Sequence, residues 1–394
     1  MTSKRGRCSP VSSNDDCGQD SYAEIGRRRA MSDLKVNLAG LKLRNPVLTA
    51  AGPAARDGMT LLNAAAGGAG GLVAKTVSVK PAKVPNPNIT AIGRGRVKSR
   101  RGLLNAELWS EISLSQWLES EYPIALSSGL PVIASVGYTP KEVAEIAPKI
   151  EDAGVQAIEF STHYVGGHVE IAKALKDAVD IPIFAKLSPK IDVAAVAKDV
   201  EKYVDGIVAI NTYGPCLRID IETGKPFLGS DGGEGWLSGA ALKPIAMRCV
   251  ADIASTVDIP VIAVGGVSSG EDVIEFIMAG ASAVQVCSAA ILEGQTVYGR
   301  IVGEISDWLK EHDYESVNEL TGLALPHLEK KHSLRNTPRV NLEKCTRCGL
   351  CEKSCVYDAI TVNKSKDLFE IDEEKCQRCG MCISVCPFYA LSVD

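Results

Sequence analysis

The sequence has no apolar run of the ~18–20 residues that a membrane-crossing helix needs. Its first thirty residues hold Arg, Ser and Asp but no hydrophobic stretch, so neither a span nor a secretory signal is expected. It has no basic excess: 43 Lys and Arg against 48 Asp and Glu leave a formal charge of −5, which removes nucleic acid as the default partner. No GxGxxG turn follows any apolar run, which argues against an open dinucleotide-binding sheet and a resident nicotinamide. Cysteine is sparse through the first 344 residues, where five are scattered without a pairing pattern. A secreted disulfide framework is not distributed this way, so a reducing, cytoplasmic setting is expected.

What is there is a chain of 394 residues, 45% hydrophobic and 23% charged, enough for one large globular domain and a small one. Residues 1–33 are polar and aperiodic and read as a disordered tail, unable to bury enough surface to offset ordering. Short runs rich in Val, Ile and Ala then recur at 47–51, 71–75, 132–136, 155–160, 181–187, 206–211, 260–264 and 283–287. Bounded by Gly, Pro or Asp, such runs suit strands buried on both faces. Stretches with helical apolar spacing lie between them, as at 140–152 and 192–204. Eight strands alternating with helices predict a (β/α)8 TIM barrel over 34–321. Long segments follow the second and sixth strands, 76–131 and 212–259. In a barrel such insertions fall on the C-terminal face and are expected to wall the pocket.

After a connecting segment at 322–340, residues 341–394 hold the other eight cysteines. Cys345-x2-Cys348-x2-Cys351-x3-Cys355 is repeated as Cys376-x2-Cys379-x2-Cys382-x3-Cys386-Pro387. This is the run of bacterial-type 2[4Fe-4S] ferredoxins, in which three cysteines hold one cluster and the fourth reaches across to the other. Cys345, Cys348, Cys351 and Cys386 are thus expected on one [4Fe–4S] cluster, and Cys376, Cys379, Cys382 and Cys355 on the second. A zinc staple is the competing reading, but zinc sites show paired CxxC motifs rather than two tandem four-cysteine runs. Two clusters imply electron transfer, and a redox centre in the barrel for them to serve.

Barrels bind phosphates at the loops after strands seven and eight. Here those strands end in Val264-Gly265-Gly266 and Cys287-Ser288, each followed by a helical stretch (271–279 and 289–294). Lys75 closes the second run and Lys186 lies in the fifth; each is either half of a structural salt bridge or a charge facing a reduced flavin or polar ligand. Asn105 either caps a helix over 106–118 or presents its amide to a substrate.

Several segments resemble a known family: NPVLTAAG (45–52), AKT (74–76), LLNAEL (103–108), FAKLSP (184–189), AINT (209–212), GWLSGAALKPIAMR (235–248) and AVGGVSSGEDVIEFIMAGASAVQVCSA (263–289). They look like the catalytic barrel of dihydropyrimidine dehydrogenase, within the dihydroorotate dehydrogenase-like FMN barrels. The closest likeness is to the bacterial subunit that joins this barrel to a two-cluster ferredoxin. The resemblance implies FMN held by Ala51, Lys75, Thr76, Lys186, Gly239, Val264, Gly265, Gly266, Cys287 and Ser288. It implies substrate contacts from Asn105, Ser161, Asn211 and Thr212.

The chain departs from the pattern after strand four. The family reads Asn-Leu-Ser-Cys-Pro, with the cysteine exchanging a proton; this chain reads Ser161-Thr162-His163-Tyr164-Val165. Tyr164, a phenol of pKa ~10, is expected to act chiefly as an acid, with His163 the alternative acid–base group. Cys216 is either a substitute thiol or a bystander. Arg94, Arg96, Lys98, Arg100 and Arg101 read either as a solvated charge run or as contacts to an anionic substrate, with Arg218 joining them. The expected function is a soluble FMN and iron–sulfur oxidoreductase acting on a C=C bond conjugated to a carbonyl; because the acid–base loop departs from the family, a substrate other than uracil or thymine is expected, with an anionic one among the candidates. Its electron donor is expected to be a nicotinamide-oxidising flavoprotein subunit or a soluble ferredoxin, in a homo- or hetero-oligomer. A true dihydropyrimidine or dihydroorotate dehydrogenase subunit, and a non-catalytic electron-transfer subunit, are the competing readings. A barrel without chemistry has no reason to keep Lys75, Lys186, Gly265 and Gly266 together.

Overall fold

The structure, a computed structural model, describes residues 32–92, 102–162, 166–328 and 336–393. It divides into two compact units, one ending at Leu325 and the other beginning at Pro326. In the first, eight parallel strands run Val47–Thr49, Leu72–Val73, Val132–Val136, Ala157–Ser161, Ile183–Leu187, Gly206–Ala209, Val261–Val264 and Ala283–Val286. They pair in chain order, and the eighth returns to the first through Val284–Val47 and Val286–Thr49. A parallel bridge between Leu48 and Gly71 closes the ring between strands one and two. The expected (β/α)8 barrel is therefore observed.

The strands form because their residues are nearly all apolar and are buried on both sides, against the barrel interior and the outer helices. Several helices start where the sequence supplies a cap. Thr139 caps Pro140–Asp152, with Pro at the first helical position where its missing N–H costs nothing. Ser269 and Asp272 form a reciprocal capping box on Gly270–Met278, the helix after strand seven. A hairpin, Val36–Leu38 with Leu41–Leu43, precedes the first strand and adds Leu38 and Leu43 to the core.

The two insertions meet in one four-stranded antiparallel sheet. Ile89–Ala91 and Leu103–Asn105 come from the first, and Tyr213–Cys216 and Gly235–Ser238 from the second. Residues 106–113 are not helical. The expected helix over 106–118 is replaced by an irregular stretch, and helical structure begins only at Leu114, capped by Ser113, passing through a π-turn at Trp117–Glu121 into Tyr122–Leu126. The cause is long-range: Asn105 and Leu104 are committed to strand pairing with Trp236 and Leu237.

Residues 322–325 bond to the end of the helix after strand seven, through Gly322 N–H to Ile277 and Ala324 N–H to Met278. In the second unit, Arg339–Val340 pairs with Leu391–Ser392, and Ile360–Asn363 with Leu368–Ile371. Two one-turn helices, Leu350–Lys353 and Met381–Ser384, carry Cys351 and Cys382 into a small core with Ile360 and Leu391. Among the described residues no helix is long and apolar enough to cross a membrane.

Candidate active site

A cleft of about 1060 Å³, measured to its open mouth, lies at the C-terminal ends of the barrel strands and under the four-stranded sheet. That is the end of a barrel from which active sites are built. Its walls include Ala51, Lys75, Thr76, Lys186, Gly239, Val264, Gly265, Gly266, Cys287 and Ser288, and also Asn105, Ser161, Asn211 and Thr212. The fourteen residues come from every part of the barrel sequence and converge on one space. His163 and Tyr164 lie outside the described residues, as do Arg94, Arg96, Lys98, Arg100 and Arg101.

Each cleft lysine is paired. Lys186 points along the fifth strand into the barrel, where its Nζ donates to Glu159 Oε1 at 3.0 Å and Gln285 Oε1 at 3.2 Å. Gln285 Nε2 in turn donates to Glu159 Oε2 at 2.5 Å. All three are buried, so each polar group answers another's desolvation. Lys75, at the end of strand two, forms an ion pair with Glu107 from the first insertion, and Glu107 also accepts from Asn88 Nδ2. The salt-bridge alternative for the two lysines therefore holds in the protein alone. It is compatible with ligand contact, because both lysines still line the cleft.

The two asparagines are half engaged. Asn105 Nδ2 donates to the Trp236 carbonyl at 3.0 Å and its Oδ1 accepts the Glu107 N–H at 3.2 Å. Asn105 thus ends a strand and braces the sheet; it does not cap a helix over 106–118. Asn211 Nδ2 donates to Ser161 Oγ at 3.1 Å, and its Oδ1 accepts the Thr212 N–H at 2.8 Å. An amide has two donors and two lone pairs, so each retains one of either kind.

The turn after strand seven is held from behind. Asp272 Oδ2 accepts from the N–H and hydroxyl of Ser268 and the N–H of Ser269, while Oδ1 accepts from Lys243 Nζ at 2.5 Å. Burial pushes the Asp272 carboxyl up, and Lys243 and Ser268 more than offset it, leaving it below the ordinary carboxylate range. Gly266 sits at φ +85°, and a Cβ there would lie 2.6 Å from Lys243 Cβ, so only glycine brings this backbone against the start of Lys243–Ala254, the helix that precedes strand seven. Burial pushes the Cys287 thiol up despite the two lysines nearby, so it serves as a neutral wall. Cys216 does not line the cleft; it packs beside Leu104, Leu228 and Leu237 in the covering sheet. Arg218 is likewise occupied elsewhere, donating to Thr90 Oγ1 at 2.7 Å and stacking on Phe227. Sequence reasoning missed Glu107, Glu159 and Gln285. The signal was available for two of them: a Glu or Gln inside an otherwise apolar strand must have a buried partner.

The chemistry of this donor set suits FMN: lysines at the floor for the electron-rich edge of a flavin, and a glycine turn with a capped helix for its phosphate. In the second unit the fit is equally direct. One cavity of about 340 Å³ is lined by Cys345, Cys348, Cys351 and Cys386, and another of about 360 Å³ by Cys355, Cys376, Cys379 and Cys382. Each space thus draws three cysteines from one run and one from the other. Backbone N–H groups of Ala359 and Ala390 point at Cys355 and Cys386 Sγ, at 3.3 and 3.4 Å, one at each cavity.

Comparison with known proteins agrees with this division. The family model described as dihydroorotate dehydrogenase matches residues 33–309, and the 4Fe-4S dicluster domain model matches residues 344–390. The chain is similar to the catalytic subunit of dihydroorotate dehydrogenase B (NAD(+)) from Pyrococcus abyssi, at 38% identity over 308 residues, covering 74% of this chain and 99% of that protein. The subunit of the same name from Methanosarcina mazei is 39% identical over 316 residues, covering 76% and 97%. About a quarter of this chain lies outside each match.

Proposed function

Because the chain belongs to the dihydroorotate dehydrogenase family, whose barrels bind FMN, and ends in a dicluster domain for two [4Fe–4S] clusters, we propose that it exchanges hydride with a carbon–carbon bond beside a carbonyl and relays the electrons through its own clusters. Bound FMN supplies a centre that trades two electrons with substrate and single electrons with iron–sulfur clusters. Lys186 and Lys75 hold its polar edge, and Gly265, Gly266 and Ser288 receive its phosphate. The residual donor and acceptor of Asn105 and Asn211 match the alternating carbonyl and N–H groups of a cyclic imide, a ring of the dihydropyrimidine type. In reduction of such a ring, hydride reaches the β-carbon, charge spreads onto the carbonyl, and the α-carbon takes a proton from Tyr164, or from His163 if the phenol is too distant.

The observation that carries this reading is the convergence of two lysines, two half-engaged amides and the Gly265–Gly266 turn on one cleft. The relatives' names favour a second reading, oxidation of dihydroorotate itself. Under either, a separate subunit or soluble carrier exchanges electrons with the clusters.

The test is anaerobic reoxidation of the reduced flavin by uracil, orotate and a panel of α,β-unsaturated acids and amides. Reoxidation by a ring imide, with Tyr164→Phe slowing that step but not reoxidation by ferricyanide, is the expected result. A flavin that none of these compounds reoxidises would refute the proposal.

A further inference from the structure

We propose that Glu107 is the selectivity residue of the cleft, cancelling the charge of Lys75 so that an uncharged ring is accepted and one bearing a carboxylate is rejected. This rests on the reading of the cleft as a hydride-exchange site and refines its substrate class.

Among the described residues lining the cleft, only Lys75, Glu107 and Lys186 are charged. Lys186 is committed inside the barrel to Glu159 and Gln285. Lys75 is the one cation that faces a residue of the covering sheet, and its side chain and that of Glu107 are only 7% and 12% exposed. Counting Glu159 behind the wall, two ammonium groups meet two carboxylates, so the charges of the described cleft residues cancel.

Glu107 is also fixed in place. Asn88 donates to its second oxygen, and its own N–H is bonded to Asn105 Oδ1. The Ala106 N–H bonds to the Asn88 carbonyl at 2.7 Å, which ties the N-terminal flank of the residue to the same Asn88 that holds its side chain. A substrate carboxylate approaching Lys75 must displace a carboxylate held at both oxygens, or stay beside it with no other cation among the described cleft residues free to pair with it. In a partly desolvated cleft both alternatives are unfavourable. A neutral imide meets no such obstacle, since amide edges suffice to orient it. The relatives are named for dihydroorotate, which carries a carboxylate, so the residue makes a prediction that separates this chain from them.

Orotate and uracil differ only by that carboxylate and provide the test. Their dissociation constants are read from the change in flavin absorbance of the holoenzyme, in the unmodified chain, Glu107→Gln and Glu107→Asp. The unmodified chain should bind uracil at least tenfold more tightly than orotate. Glu107→Gln should tighten orotate at least tenfold while moving uracil less than threefold, and Glu107→Asp, which keeps the charge, should keep the preference. Flavin content shows that each variant is folded. Equal binding of the two rings, or a preference unmoved in Glu107→Gln, would overturn the role of Glu107 alone. A holoenzyme whose flavin spectrum no ring perturbs would overturn the cleft reading and this inference with it.

Discussion

The ion pair inside the barrel offers the sharpest test of the physical reasoning. Lys186 Nζ and Glu159 Oε1 are 3.0 Å apart, with the two side chains 7% and 1% exposed. At that separation and an effective dielectric of about 20, their mutual attraction is about 5 kcal/mol, offset by the cost of taking both ions out of water. The net value of the pair is therefore small, but removing one member leaves the other buried and uncompensated. Glu159→Gln preserves shape and removes only charge, so it should destabilise the barrel by about 3–5 kcal/mol. For a unit of this size each kcal/mol lowers the midpoint by about 2–4 °C, giving a fall of roughly 6–20 °C. Lys186→Met should cost a similar amount, since Glu159 then keeps only Gln285 as a partner. The double variant removes both charges and should lose at least about 2 kcal/mol less than the two single losses added together. The assay is thermal unfolding of flavin-stripped chain, which keeps any contact between Lys186 and FMN out of the comparison. Simple additivity of the two changes, or a Glu159→Gln barrel melting within 2 °C of the parent, would refute the argument.

Three further outcomes are expected. Cys386→Ser should abolish the cluster that also uses Cys345, Cys348 and Cys351, leaving about four irons of eight and the EPR signal seen in Cys345→Ser; loss of the other signal would show that the runs do not cross. Asp272→Ala leaves Ser268 and Ser269 without this acceptor and Lys243 with Glu275 as its remaining ion-pair partner, so FMN should dissociate at least tenfold more readily on dilution, read by flavin fluorescence, while unchanged retention would separate this turn from the phosphate. His168 is buried, with Nε2 2.9 Å from Thr162 Oγ1, and burial lowers its pKa from 6.5 against the opposing pull of Glu170. A depressed pKa gives stability that is present above the unfolded value and lost as pH falls through the folded one. The unfolding free energy read from urea titrations should thus decline below pH ~6.5 by up to about 1.4 kcal/mol per pH unit, and His168→Gln should flatten that slope.

The barrel was readable from sequence because buried parallel strands are unbroken apolar runs, and the pattern that makes them strands also marks their ends. The runs at 47–51 and 71–75 nevertheless overshoot the paired segments Val47–Thr49 and Leu72–Val73. The extra residues, Ala50, Ala51 and Lys75 among them, leave the ladder to form the cleft wall, where composition alone does not separate wall from strand. The helix over 140–152 matched because cap, proline and periodicity agree there. The stretch after Asn105 failed for the opposite reason: its apolar spacing is helical, but the residues that lead into it are held by a strand more than a hundred positions away. No local signal reports such pairing, and the ion pair of Lys75 with Glu107, made through the same sheet, was hidden with it.

The loop after strand four shows how one substitution redistributes work within a site. Where the resembling family has an asparagine, Ser161 is too short to reach across the cleft, and its hydroxyl instead takes one N–H of Asn211. The Ser161 side chain thus supports Asn211 instead of presenting an amide of its own to the cleft. Ser161 is buried at the end of its strand, so this support is rigid. Asn211 is pinned from its other side by the Thr212 N–H and is left with a single orientation for its free donor and acceptor. If the cleft takes the ring proposed above, the smaller Ser161 side chain leaves space beside Asn211 for a ring substituent that an asparagine there would fill. Ser161→Asn should accordingly weaken binding of 5-substituted rings more than of uracil, by at least tenfold in relative dissociation constant. Equal effects on both would mean that the shorter side chain serves Asn211 alone and leaves the shape of the cleft unchanged.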